Sequence, residues 1–123
     1  MGLTIDDSEL EAKLKELSEK FPNKRDKFLA QEGEMLIGRA KKNTPVDTGN
    51  LRNAWKRTKA TGGKVTVYNN TEYAAHVEYG HRVKVHGKFT GKVVKGRKML
   101  HKAFSETKNN FRDDAQDILE GLF

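Results

Sequence analysis

Residues 54–69, AWKRTKATGGKVTVYN, decide the fold class. Val65 and Val67 alternate with Lys64 and Thr66, the two-residue period that gives a strand one buried and one wet face. Ala54–Ala60 is a second strand candidate, and Thr61-Gly62-Gly63 between the two is a hairpin signal. A chain with this segment at its centre is not all-helical, although both of its ends read as helix.

The first helix is expected over Asp6–Lys20, where Leu10, Leu14, Leu17 and Phe21 share one face and Asp6, Asp7 and Ser8 offer capping oxygens. Pro22 breaks it and suits the first turn of a second helix, Asn23–Asn43. That helix has an apolar face of Phe28, Leu29, Met35, Leu36 and Ala40. Gly33 and Gly38 weaken it by about 1 kcal/mol each relative to Ala and point to close packing or a bend. Thr44-Pro45 ends it, and Asn50–Trp55 is a short helical turn. Tyr73–Tyr79 is another short helix, stopped by Gly80 in the left-handed conformation.

Val83–Val85 and Lys92–Val94 are weak strand candidates separated by Gly87 and Gly91, so residues 81–98 are expected to form a long flexible basic loop. From Arg97 to Gly121 the stripe Leu100, Phe104, Thr107, Phe111, Ala115, Ile118 and Leu122 steps by three or four, a helix of roughly 35 Å. The expectation is α+β: one domain over residues 1–123. It has N-terminal helices to residue 43, a small antiparallel sheet with the basic loop over 44–96, and a long C-terminal helix from 97.

Hydrophobic residues make up 35% of the 123 and charged residues 33%, a thin core that leaves apolar surface for other subunits. With no cysteine, disulfides, thiol nucleophiles and cysteine-bound metals are excluded. No apolar run reaches the roughly 20 residues of a membrane span, and the N-terminus has no leader pattern, so a soluble, unprocessed protein is expected. Between Leu36 and Lys102 stand 16 Lys/Arg against 3 Asp/Glu, whereas the flanks hold 8 against 14. A basic centre between acidic flanks suits nucleic acid, or self-assembly in which unlike faces of neighbouring copies meet.

Val46-Asp47-Thr48-Gly49 contains the tripeptide of an aspartic-protease loop, but it lies between a helix and a polar turn where the enzyme needs apolar strands. Capping of the next turn by Asp47 and Thr48 is the better reading. His76, His81 and His86 follow at five-residue steps, which do not place two metal ligands on one helix face. No phosphate loop or nucleophile elbow is present. Catalytic residues, cofactors and metals are therefore not expected. The basic segment HRVKVHGKFTGKVVKGRK, residues 81–98, has Phe89 as its only aromatic. That makes it a poor base-stacking platform, and nucleic-acid binding is the alternative reading.

Three blocks in order, TPVDTGNLRNAW (44–55), VYNNTEYAAHVEYGHR (67–82) and VVKGRKMLHKAF (93–104), resemble the gene-product-ten-like tail-component family of tailed bacteriophages. The matching positions are Thr44, Pro45, Asp47, Thr48, Gly49 and Leu51; Tyr73, Val77, Glu78, Tyr79 and Gly80; and Gly96, Met99 and Leu100. The resemblance implies a non-enzymatic virion protein, made and assembled in the host cytoplasm. It would form a homo-oligomeric ring at the head–tail junction, as a neck, tail-completion or tail-terminator protein, and meet other neck, connector or tail proteins, with at most non-specific contact to DNA in the channel and no membrane. The expected assembly interface is Tyr73, His76, Glu78, Tyr79, Gly80, His81 and Arg82, continuing through Lys84, Lys88, Phe89, Lys92, Lys95 and Arg97.

Overall fold

The computed structural model describes residues 8–45 and 49–121. Two helices, α1 (Ser8–Lys20) and α2 (Pro22–Asn43), are followed by one turn of helix, α3 (Gly49–Asn53). A first hairpin pairs β1 (Lys56–Arg57) with β2 (Val67–Tyr68), a short helix α4 (Ala74–Tyr79) follows, and a second hairpin pairs β3 (Gly80–Val85) with β4 (Lys88–Lys95). The chain closes with α5 (Met99–Glu120). This is the expected α+β order. The expected capping by Asp47 and Thr48 lies outside the described residues.

The frame is an antiparallel pair, α2 against α5. Phe28 meets Phe111 with ring centroids 5.4 Å apart. Arg39 Nη1 donates to Thr107 Oγ1 at 2.7 Å, and Asn43 Nδ2 donates to the Met99 carbonyl at 3.3 Å. The main core lies at one end of this pair, where Ile37, Ala40, Leu51, Trp55, Met99 and Ala103 are buried together. Buried Thr44 ties the core to the end of α2: its hydroxyl donates to the Ala40 carbonyl at 2.7 Å and accepts the Trp55 indole N–H at 2.9 Å. At the other end α1 closes a smaller cluster through Leu17 and Leu119.

The face that α5 buries is turned by about one residue from the expected stripe. Met99, Ala103, Thr107, Ala115 and Leu119 are inside, and Phe104 is 54% exposed. Small side chains at 103, 107 and 115 let the two helices approach closely, so the bulky residue of each turn is pushed to the rim. On α2 the buried set is Phe28, Glu32, Gly33, Ile37 and Ala40, and Met35 is exposed. Gly33 serves the close packing expected of it. A Cβ there would stand 3.0 Å from Arg57 Cδ and 3.4 Å from Val65 Cγ2, which are side chains of the first hairpin. The hairpin tip is also held to α2, where Asp26 Oδ1 accepts the Gly63 N–H at 3.0 Å. No described helix is long and apolar enough to cross a membrane.

Residues 81–98 differ from the expected loop. Most of them form the paired hairpin β3–β4, with His81 opposite Val94, Arg82 opposite Val93 and Val85 opposite Lys88. His86 and Gly87 turn with positive φ, and the register shifts between Arg82 and Lys84. The β-branched residues Val83, Val85, Thr90, Val93 and Val94 favour strand here, and the glycines that suggested mobility serve the turn and the irregular register instead.

Candidate docking surface

The hairpin is rooted in a compact backbone clamp. Arg97 N–H donates to the Val77 carbonyl at 2.6 Å, and Lys98 N–H donates to the Glu78 carbonyl at 3.0 Å. Glu78, 8% exposed, then reaches across to the start of α5. Its Oε1 accepts the Leu100 N–H at 2.8 Å and its Oε2 accepts the His101 N–H at 3.0 Å. The helix has no cap of its own at Lys98, so a carboxylate from a distant segment satisfies two of its first amides and faces the positive helix end. Glu78→Ala is expected to cost about 1–3 kcal/mol, since it leaves two partly buried amide donors without the carboxylate. Thermal denaturation checks this.

Gly80 and Gly96 complete the clamp. Gly80 has the expected positive φ of 84°, but its ψ of 174° sends the chain straight into β3. A Cβ on Gly80 would collide with the Val94 carbonyl oxygen, and one on Gly96 would lie 2.5 Å from the Glu78 carbonyl oxygen.

Beyond the clamp the hairpin is open to solvent, and every residue of β4 is exposed. One face carries Arg82 and Lys84, whose charged ends sit 5.2 and 4.7 Å from the centroid of the Phe89 ring. The alternation along β3 puts His81, Val83 and Val85 on the other face, with Val94 paired opposite His81. His81 stacks on His76 of α4 at 5.0 Å. Lys88 adjoins the turn, and Lys92 and Lys95 follow along β4, with Arg97 just past it. Tyr73 and Tyr79 are exposed beside the root, Tyr79 by 82%.

Of the residues expected at an interface, most therefore lie on one projecting unit. Glu78 differs from the rest, since its carboxylate is buried and accepts the Leu100 and His101 amides. The four histidines do not gather, since only His76 and His81 meet, and no three His, Asp or Glu side chains cluster as a metal set among the described residues.

Sequence reasoning missed Glu32. It is 6% exposed in the middle of α2, beside Asp114 of α5, and its Oε2 and the Asp114 Oδ2 are buried without hydrogen-bond partners. Burial, then the hydrogen bond and like charge of Asp114, push Glu32 up to about 7, while Arg39 opposes the shift. The folded protein thus holds a proton that the unfolded chain releases from about pH 4.5 upward. Stability falls as pH rises from about 4.5 to 7. Glu32→Gln is expected to gain about 1–2 kcal/mol at pH 8, at about 1.4 kcal/mol per pKa unit and allowing for sharing with Asp114. The gain should vanish near pH 4.5 in a pH series of denaturant melts. A glutamate on the α2 face between Phe28 and Leu36 was the available signal.

A groove of about 620 Å³ lies beside this pair, between α2, the β1–β2 hairpin and α5. Leu36, Val65, Val67, Leu100, Phe104 and Phe111 line it.

The family described as "Bacteriophage HK97-gp10, putative tail-component" matches residues 8–80. The match takes in both N-terminal helices, the first sequence block and the second as far as Gly80, and it ends at the root of the hairpin. No curated protein and no solved structure shows significant similarity.

Proposed function

Because the chain belongs to the HK97-gp10-like family of bacteriophage tail components, we propose that it is a non-enzymatic virion subunit forming a ring at the junction of head and tail. The projecting β3–β4 hairpin is the observation that carries this reading. Its Val85, Phe89, Val93 and Val94 are exposed, in a chain whose own core is thin. An isolated two-stranded hairpin is marginal in water, and a neighbour that covers it would stabilise it. Rings close through unlike patches on successive copies, and a basic hairpin meeting acidic helices supplies such a pair. Tyr73, His76, Tyr79, His81, Arg82, Lys84, Lys88, Phe89, Lys92, Lys95 and Arg97 form the contact, and Glu78 and Gly80 hold its root.

The partners are other copies of the chain and the adjoining neck, connector or tail proteins. A nucleic-acid module is disfavoured by Phe89, whose ring is occupied by the chain's own Arg82 and Lys84. Electron microscopy of particles carrying a tagged chain tests the reading, with a discrete ring at the neck as the expected result. Absence of the tag from the particle would overturn it, and a salt-sensitive affinity for duplex would then favour the nucleic-acid alternative.

A further inference from the structure

The groove between α2, the first hairpin and α5 combines apolar walls with a buried acid. Glu32 lines it and keeps a buried oxygen, Oε2, without a partner, whereas its neighbour Asp114 lines the adjoining cavity instead. Arg39, which acts on Glu32, is turned to Thr107 and Glu106, and the other ionisable groups on the groove lining are Glu78, Lys98 and His101. Lys24, Lys27 and Asp117 line a separate cavity on the other side of Glu32. The groove therefore suits an apolar segment that brings its own positive charge. At about 620 Å³ it lies within the roughly 300–1,000 Å³ range of sites that enclose a ligand, room for about three apolar side chains.

One segment of this chain has that chemistry. The β3–β4 hairpin presents Val83, Val85 and Val94 on one face, with Lys88 paired opposite Val85, and there is no acid between Glu78 and Glu106. It packs on α4 of its own chain, and its roots Tyr79 and Lys98 form part of the groove's rim, so the hairpin starts at the groove without filling it.

We propose that this groove receives the β3–β4 hairpin of a second copy of the chain, valine face inward and a hairpin lysine toward Glu32. The inference rests on the ring reading, because a hairpin-to-groove contact joins unlike patches and so propagates from copy to copy. A lysine brought to Glu32 favours its carboxylate, so association strengthens as pH rises through about 7, where Glu32 loses its proton.

The chain has no cysteine, which makes a clean test available. Thr66→Cys places a thiol at the groove and Val85→Cys places one on the hairpin. The two full-length variants are mixed, oxidised both as purified protein and in assembled particles, and the products separated without reductant. A 66–85 bond between copies is the expected product. In sedimentation at pH 8, Glu32→Gln should weaken self-association about tenfold while raising the melting temperature, a pair of effects that a merely structural role would not produce together. Particles that contain both cysteine variants but show no 66–85 bond overturn the groove assignment and leave the ring intact. If the chain is absent from particles, the ring reading fails, and the groove then stands or falls on the bond formed by the purified protein.

Discussion

Gly80→Ala is expected to lower the melting temperature by about 10–15 °C. Gly80 sits at φ 84° and ψ 174°, a conformation that costs side-chain-bearing residues about 1–3 kcal/mol. The added Cβ would also collide with the Val94 carbonyl oxygen and stand 2.8 Å from the Gly96 amide nitrogen. Both obstacles are backbone, so no rotamer change relieves them. A total of about 3 kcal/mol is a large fraction of a small domain's stability, and each kcal/mol shifts the melting temperature by several degrees. Gly96→Ala meets the same clamp from the other strand and should behave alike, because its Cβ would lie 2.6 Å from the Tyr79 carbonyl carbon. Melting within about 3 °C of the unaltered protein would show that the clamp yields easily.

Reversing three charges on the hairpin should leave the fold intact and abolish incorporation into particles. Arg82, Lys84 and Lys88 are exposed, and the first two rest on Phe89. Glutamate at all three positions removes those ring contacts, worth about 0.5–1 kcal/mol each at exposed sites, so circular dichroism and melting should change little. Opposite an acidic partner the same change replaces attraction with repulsion, and like charges brought together cost several kcal/mol. That corresponds to a loss of at least about 100-fold in assembly. A normal yield of complete particles would remove the hairpin from the interface.

The helices were legible in the sequence to within one or two residues at most ends, because apolar spacing and the breaks at Pro22 and Pro45 act over a single turn. The first hairpin was legible for the same reason. Its two glycines at 62 and 63 adopt positive φ, and Val67 pairs with Arg57 as the alternation requires. The second hairpin was half legible. Its valines marked two short strands, but Gly91 and the run of lysines concealed the pairing across them. The sequence blocks located the site region without revealing which of its members face outward. Tyr79 and Glu78 are neighbours in one block, and the structure exposes the first and buries the second.

The sequence alone determined the α+β element order, the basic centre between acidic flanks and the family resemblance. Each follows from residue type and spacing over a few positions. Only the tertiary structure decided three further points: Glu78 caps a helix more than 20 residues away, Glu32 and Asp114 meet across two helices, and Phe104 opens onto a groove. Those outcomes depend on how α2 and α5 rotate against each other. That rotation is set by the small side chains at 103, 107 and 115, through a close packing that no local pattern encodes.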